Sequence, residues 1–188
     1  KSLGIDEGGY LVQRSPFGPG MLRGVYKNPD MYMDNYWSQY NKAYFTSDGA
    51  RLVRKDNFRL TGRVDDVMKV AGHRLSTAEV ENAIGGHEAV AECAVVACPH
   101  EVKGEVPWAF IRLKSGEPSD KLNKELIGQV DKVLGPTCRP DRIIFAKAVP
   151  RTRSGKIMRR ILKSLVKNEP IGDITTIENP ECVEDLKK

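Results

Sequence analysis

A single lysine stands near the tip of a glycine-containing loop in the segment PRTRSGKIMRR, residues 150–160. Gly155 gives the loop backbone freedom, and the flanking arginines raise the positive potential around Lys156. Because an ammonium group on a flexible stem acts as a point charge, Lys156 could reach into a cleft and neutralise phosphate. From Arg151 to Lys167 there are seven basic residues and no acidic one. A solvated basic face, or a nucleic-acid or nuclear-import patch, has the same composition, so the pattern leaves these alternatives open.

A second group of polar residues lies in TGRVDDVMKVAGHRLSTAEVE, residues 61–81. Asp65 and Asp66 follow one strand pattern and precede another, where the chain crosses between structural units. A carboxylate there is either an ordinary turn residue or a group that stabilises a hinge. Gly72, beside Arg74, would let the backbone approach a ligand closely, although a glycine in a hairpin turn explains the pattern equally well.

The histidines and cysteines favour plain structural roles. His87 follows a helix C-terminus, where the helix dipole favours a cation, so a helix-end histidine is favoured over a metal ligand. His100 is interpreted as a loop residue, because no serine or cysteine nucleophile stands near it in sequence. The four cysteines have no CxxC spacing and no accompanying histidines, so no zinc site is predicted. Cys93 and Cys98 lie in an apolar run and are expected to be buried thiols.

The elements that position these groups begin with a β-hairpin. The strand-like patterns AYFTSDGARLV (43–53) and NFRLTGRV (57–64) flank a polar turn at residues 54–56. Asp48 and Arg63 should therefore lie near the ends of neighbouring strands. The preceding forty-odd residues are rich in turn formers and do not have the pattern of a complete domain.

From residue 67 onward, the pattern predicts the order β-α-β-β-α-β-α, a compact α+β domain with helices packed on a small sheet. Ser76 and Glu79 have the spacing of a capping box at the start of a helix. Ser119 is a good N-cap for a second, amphipathic helix. The expected elements are a strand VMKVAGHRL (67–75), a helix at 77–84, strands at 89–98 and 106–113, a helix ending at Gly135, a strand at 142–149 and a helix at 157–166.

The composition bounds the class of protein. The chain has 188 residues, of which 40% are hydrophobic and 29% charged, which is typical of a globular protein. The net charge of +5 comes from 30 basic and 25 acidic residues, so the surface is mixed and suits a phosphorylated small molecule as readily as a nucleic acid. No apolar stretch approaches the roughly 20 residues that a membrane span needs, and the first residues lack the layout of a signal peptide. A reducing, cytoplasmic compartment is therefore expected.

Five segments in order resemble the acetyl-CoA synthetase branch of the adenylate-forming enzymes: YFTSDGAR, TGRVDDVMKVAGHRLSTAEVE, PHEVKGE, PRTRSGKIMRR and IGDITTIENP. The resemblance implies the C-terminal part of an AMP-forming acyl-CoA synthetase. Such an enzyme activates acetate with ATP to acetyl-adenylate and pyrophosphate, then transfers the acetyl group to coenzyme A. The implied fold is the mobile α+β domain of that family (residues 65–167), preceded by a β-rich remnant of the large N-terminal domain (1–64) and followed by an extended tail (168–188).

The resemblance also implies roles for individual residues. Lys156 matches the adenylation lysine, which is also the target of regulatory acetylation by a lysine acetyltransferase, reversed by a deacetylase. Asp65 matches the hinge between the domains. Asp48 would hold the ATP ribose, Arg63 would contact the nucleotide, and Arg74 would lie near phosphate.

Two further sites are implied by the same resemblance. Ala71 and Gly72 would line the coenzyme A tunnel. His87 would contact Mg²⁺ together with the carbonyl groups of Gly85 and Val90.

The chain departs from the family pattern at three positions. Ala71 stands where these enzymes often have serine, and Lys69 stands where they often have asparagine. Asp131 falls where an arginine commonly meets the coenzyme A nucleotide, and either Lys132 or Arg139 could replace that contact.

The family's phosphate-binding loop and acyl pocket belong to the large N-terminal domain, which is therefore an expected partner. The 188 residues alone are expected to be inactive. Propionyl-CoA and hydroxypropionyl-CoA synthetases share nearly all these motifs and stay open as alternatives. A hypothesis of another class is a non-catalytic module that binds anions or nucleic acid through the basic run 151–167; no membrane partner is expected.

Overall fold

The computed structural model describes residues 2–55 and 57–187, so Asp56, in the predicted turn, lies outside the described residues. The chain forms two compact units, Lys1–Asp65 and Asp66–Lys188. Among the described residues, no helix has the length and apolar character needed to cross a membrane.

The first unit is a three-stranded antiparallel sheet in the order β1-β2-β3. The strands are β1 (Gly8–Arg14), β2 (Ala43–Arg54) and β3 (Asn57–Arg63), and helix α1 (Pro29–Tyr36) lies between β1 and β2 in sequence. The predicted hairpin is confirmed as the pair β2–β3. Helix α1 starts where the Asn28 side chain accepts a hydrogen bond from the Met31 N–H and Pro29 occupies the first turn.

The first unit buries few apolar side chains, and Ala43, Phe45 and Ala50 are its buried hydrophobic residues in the described part of the chain. Eleven of the fourteen exposed large hydrophobic residues belong to this unit, including Phe58 and Leu60, which are each 62% exposed on β3. Contiguous apolar surface of this kind marks an interaction face. The full set in this unit is Leu3, Ile5, Tyr10, Phe17, Leu22, Tyr26, Met31, Met33, Val53, Phe58 and Leu60.

The second unit has a five-stranded sheet in the order β5-β4-β7-β6, with β8 parallel to β7. The predicted single strand VMKVAGHRL was wrong, because it is a hairpin of two strands. Ala71 and Gly72 have φ angles of 48° and 85°, the left-handed pair that closes a tight two-residue turn. The strands are β4 (Val67–Val70), β5 (His73–Ser76), β6 (Val90–His100), β7 (Gly104–Leu113) and β8 (Arg142–Phe145).

Four α-helices accompany this sheet, and the predicted capping box at the first of them is confirmed. The Ser76 hydroxyl accepts from the Ala78 N–H at 3.3 Å, and the Glu79 carboxylate accepts from the Ser76 N–H at 3.0 Å. Ser119 caps the second helix as expected. The helices are α2 (Thr77–Gly85), α3 (Asp120–Leu134), α4 (Arg159–Val166) and α5 (Glu181–Leu186).

Both faces of the central strand β6 are buried. Val95 packs with α2 and α3 side chains such as Ile84 and Leu126, whereas its neighbour Val96 packs with Leu162 of α4. Because successive side chains of a strand point to opposite faces, helices must cover the sheet on both sides. This double burial explains why β6 has a continuous apolar run rather than an alternating one.

The segment after α4 differs from the predicted extended surface tail. It ends in helix α5, and Cys182 and Val183 of this helix are each 3% exposed. They form a third apolar cluster with Ile161 and Ile177. The tail is held because its few apolar residues lie where α4 leaves an apolar face uncovered by the sheet.

Candidate functional site

The loop that carries Lys156 is a tight hydrogen-bonded hairpin. Arg151 and Ile157 pair as an antiparallel bridge, and the Thr152 N–H donates to the Lys156 carbonyl at 2.9 Å. Gly155, at φ 81°, closes the turn with its N–H on the Thr152 carbonyl at 2.8 Å. The Lys156 side chain is exposed. A lysine on a short braced hairpin presents its ammonium group from a fixed backbone position.

Side chains inside the loop brace this hairpin further. The Thr152 hydroxyl accepts a 3.1 Å hydrogen bond from the Lys156 N–H and lies 3.0 Å from the Ser154 hydroxyl. The Arg151 guanidinium donates to the Gly155 carbonyl at 3.2 Å and pairs with Glu92 of β6 at 2.9 Å. The loop is therefore anchored to the central sheet through an ion pair.

Glu92 is held between two arginines. Arg112 of the neighbouring strand donates to it at 2.9 Å, on the carboxylate oxygen that Arg151 does not use. Burial raises the pKa of the Glu92 carboxyl, but the hydrogen bond from Arg112 and the charge of Arg151 outweigh it and leave the pKa below its usual range. Glu92 is therefore charged when it anchors the loop.

A second ion network follows the loop, where α4 begins. Arg159 forms a bidentate pair with Glu81 of α2, with its shortest nitrogen–oxygen distance at 2.7 Å. Asp66 lies 3.9 Å from Arg159 and accepts a 3.0 Å hydrogen bond from Lys163. Glu81 also accepts from the Val95 N–H at 2.8 Å, so the network joins α4, α2, β6 and the first residue of this unit.

Most of the basic run is engaged in structure. Besides Arg151, Arg159 and Lys163, Arg160 donates to the carbonyl groups of Ile171 and Asp173. Four of the seven basic residues counted in the sequence therefore have protein partners. A continuous cationic face for nucleic acid is disfavoured, since such a face needs unpaired charges in a row.

Asp48, Arg63 and Asp65 come together in the first unit. Asp48 lies directly opposite Arg63 in the β2–β3 register, as the sequence predicted. The Arg63 Nε is 3.0 Å from the Asp65 carboxylate. Burial lowers the pKa of Arg63, but the hydrogen bond to Asp65 and the charges of Asp65 and Asp48 raise it overall. A guanidinium between two carboxylates gives donors and acceptors suited to ribose hydroxyl and phosphate groups.

The two residues expected to contact coenzyme A form the tip of the β4–β5 hairpin, in the second unit. Ala71 and Gly72 are both exposed, and a Cβ atom on Gly72 would meet nothing within 4 Å. The Ala71 N–H is bonded to the Lys103 carbonyl at 3.0 Å. Arg74 follows on β5, exposed and in register with Lys69 of β4. The hairpin tip is open to a ligand, and its turn geometry is set by backbone dihedrals.

His87 provides a poor donor set for magnesium. Its Nδ1 accepts a hydrogen bond from the Ala89 N–H at 3.3 Å, which leaves Nε2 facing Glu125 at 3.8 Å. Mg²⁺ prefers oxygen ligands in octahedral geometry, and within residues 2–55 and 57–187 no cluster of three metal-binding side chains occurs. These side chains do not fit Mg²⁺, and we derive no step through an ion at this position.

His100 and Asp131 have structural partners. The His100 Nδ1 accepts hydrogen bonds from the Val102 and Lys103 N–H groups, so it caps a loop, as the sequence indicated. Asp131 accepts two hydrogen bonds from Arg139, at 2.5 and 2.6 Å. Arg139, one of the two candidates for a replacement contact, is thus already paired with the residue that departs from the family pattern.

Sequence reasoning missed the residues that hold the loop, namely Thr152, Glu92, Glu81 and Asn179. The Thr-x-Ser-Gly spacing of a hydroxyl-stabilised turn was a readable local signal for Thr152. Glu92 and Glu81 stand 59 and 78 residues away from their partners Arg151 and Arg159, so no local pattern marks them.

Comparison with known proteins matches this architecture. Residues 79–156 match the AMP-binding enzyme C-terminal domain. The acetoacetyl-CoA synthetase from Streptomyces lividans has the same fold, with a TM-score of 0.84, 22% identity, and coverage of 99% of this chain and 28% of that one.

Two curated relatives are much closer in sequence. The acetyl-coenzyme A synthetase of Leptospira biflexa is 50% identical over 171 residues, covering 89% of this chain and 26% of that protein. The acetyl-coenzyme A synthetase of Syntrophus aciditrophicus is 49% identical over 183 residues, covering 96% of this chain and 28% of the relative. The chain spans about a quarter of the length of these relatives.

The fold and the Lys156 loop thus define an α+β C-terminal domain of the adenylate-forming type, which the expected fold class described. With half of its residues identical to those proteins, the chain belongs to the acetyl-CoA synthetase family of AMP-forming ligases and corresponds to their C-terminal part.

Proposed function

We propose that this chain is the part of an acetyl-CoA synthetase that supplies the adenylation lysine and the coenzyme A hairpin. In the first half-reaction, an acetate oxygen attacks the α-phosphorus of ATP, and the bond to pyrophosphate breaks. In the second, the thiolate of coenzyme A attacks the acetyl carbonyl carbon, and AMP leaves. ATP and coenzyme A are the cosubstrates, and Mg²⁺ is proposed as a cofactor that enters with ATP.

Lys156 acts in the first half-reaction. Its ammonium bridges the acetate carboxylate and the α-phosphate while negative charge moves from one to the other. The observation that carries this assignment is the exposed lysine on a hairpin braced by Thr152 and Arg151, in a chain half identical to acetyl-CoA synthetases. Acetylation would remove the charge that the step uses, so a lysine acetyltransferase and deacetylase are proposed regulators.

The remaining residues divide between the two substrates. Asp48 and Arg63 bind the ATP ribose and phosphates, and Asp65 is the hinge at which residues 65–167 turn relative to residues 1–64. Ala71 and Gly72 line the coenzyme A path, and Arg74 lies near phosphate. The magnesium site at His87, Gly85 and Val90 stays a prediction that the side chains do not support.

The N-terminal domain of the whole protein is a proposed partner. The apolar surface of the first unit, with Phe58 and Leu60 each 62% exposed, supports it, because a unit with so small a core needs a covering surface. The four cysteines are free thiols, in keeping with a reducing, cytoplasmic setting. The relatives' names favour acetate over propionate or hydroxypropionate.

The test is acetate-dependent ATP–pyrophosphate exchange in the whole protein, comparing Lys156→Ala with Lys147→Ala, another exposed lysine. Loss of a preorganised electrostatic contact lowers such a rate by about 10² to 10³, so exchange should fall by that amount for Lys156→Ala and not for Lys147→Ala. Transfer from supplied acetyl-adenylate to coenzyme A should survive. Unchanged exchange would return the basic loop to the anion-binding hypothesis.

A second measurement addresses the chain itself. The 188-residue protein should form no acetyl-adenylate from ATP and acetate, because the phosphate-binding loop and acyl pocket lie in the proposed N-terminal domain. Formation of acetyl-adenylate by this chain would contradict the division of labour between the two parts.

A further inference from the structure

The C-terminal tail is joined to the hairpin that carries Lys156. Thr152 and Ile177 form an antiparallel bridge, and the Glu178 N–H donates to the Arg151 carbonyl at 2.8 Å. The tail therefore adds a short third strand to the hairpin, on the side of its first arm. This contact joins residues 25 positions apart in sequence, and the loop cannot make it by itself.

Asn179 continues this contact with its side chain. Its Oδ1 accepts a 3.0 Å hydrogen bond from the Arg151 N–H, and its Nδ2 donates a 3.0 Å hydrogen bond to the Val149 carbonyl. One amide thus satisfies a main-chain donor and a main-chain acceptor at the base of the hairpin. Of the common side chains, only an amide carries both groups in this planar arrangement.

The tail is itself fixed on both sides of Asn179. Ile177, Cys182 and Val183 are buried against Ile161 of α4. Upstream, the Arg160 guanidinium, in the turn after the loop, donates to two tail carbonyl groups. A segment anchored in this way can hold the loop base in one place rather than follow its motion.

We propose that Asn179 is a positioning residue for Lys156, and that tail residues 177–183 are a working part of the adenylation site. The inference rests on the proposed role of Lys156 and deepens it. Asn179 touches no substrate; it sets the direction in which the hairpin leaves the sheet. Loss of its two hydrogen bonds frees the hairpin base, so the ammonium group spends less time where charge develops.

The kinetic test uses the whole protein with Asn179→Ala and, as a matched control, Thr176→Ala, an exposed neighbour in the tail. For Asn179→Ala, we expect kcat for acetate-dependent ATP–pyrophosphate exchange to fall about tenfold, the order expected for two lost hydrogen bonds. The KM values for ATP and acetate should change less than about twofold, as should transfer from supplied acetyl-adenylate to coenzyme A. Equal losses in both half-reactions would mean general damage to the fold and would overturn the proposal.

Hydrogen exchange of the same variants gives a readout that does not depend on activity. The amides of Arg151 and Lys156 should exchange faster in Asn179→Ala, while those of β6 and β7 keep the wild-type rates. Unchanged exchange in residues 150–158 would overturn the proposal, whatever the kinetics. If Lys156→Ala has no effect on pyrophosphate exchange, the proposed function fails, but the hydrogen-exchange result still decides whether Asn179 holds the loop.

Discussion

The backbone N–H of Lys156 donates a 3.1 Å hydrogen bond to the hydroxyl oxygen of Thr152, four residues earlier in the chain. The same hydroxyl lies 3.4 Å from the Lys156 carbonyl oxygen. The residue proposed to act on ATP is therefore held at its own backbone by a side chain of the same loop.

Replacing Thr152 should slow the first half-reaction. Thr152→Val keeps the shape of the side chain but removes the oxygen, and a hydrogen bond is worth about 1 kcal/mol, so pyrophosphate exchange should fall about fivefold. Thr152→Ser, which keeps the hydroxyl, should retain most of the rate. Thr137→Val, at an exposed threonine, is the control, and an equal loss in both valine variants would argue against a specific role.

Breaking the Glu81–Arg159 pair should destabilise the second unit. In Glu81→Ala, Arg159 loses its bidentate partner and the Val95 N–H loses its acceptor, so the free energy of unfolding should fall by about 2–4 kcal/mol. Trp108 of β7 is the probe: with Trp37→Phe as background, urea unfolding followed by fluorescence reports this unit alone.

Glu117→Ala, at an exposed glutamate, serves as the control for that measurement. It should leave the unfolding midpoint within error. A midpoint for Glu81→Ala no lower than that of the control would show that the network contributes little to stability.

The ion pairs of Glu92 should make stability pH-dependent. Because the pKa of Glu92 is lowered from its ordinary 4.5 in the folded protein, its contribution is complete above that value and is lost as pH falls through the lower folded pKa. The unfolding free energy of wild type minus that of Glu92→Gln should therefore be largest near neutral pH and shrink in acid. A difference that stays constant down to a pH of about 3 would contradict the charged anchor.

The turn at Ala71 stores backbone strain that glycine would relieve. At φ 48° the left-handed conformation costs an alanine about 1–2 kcal/mol, while glycine loses roughly 0.5–1 kcal/mol of chain entropy. Ala71→Gly should therefore raise the free energy of unfolding slightly, by up to about 1 kcal/mol. Gly72→Ala, at φ 85°, should lower it; the same thermal or urea unfolding measures both, and destabilisation by Ala71→Gly would contradict this account.

Local patterns in the sequence determined the elements and the residues that could do chemistry. The Ser76–Glu79 capping box, the β2–β3 hairpin and the Ser119 cap depend on interactions between near neighbours, so they were readable. The Asp48–Arg63 register followed from the same hairpin. The apolar run of β6 likewise predicted a central strand, because burial on both faces requires it.

Only the tertiary structure decided how the loop of Lys156 is held. Lys156 was identifiable from its own segment, but its braces come from Glu92 and from Asn179, which are distant in sequence and have no local signature. The tail was predicted as extended because its composition is polar, yet a few apolar side chains sufficed to dock it where α4 left room. Chemistry is written in residue types and spacing, whereas the direction in which a side chain is presented depends on contacts that exist only after the chain has folded.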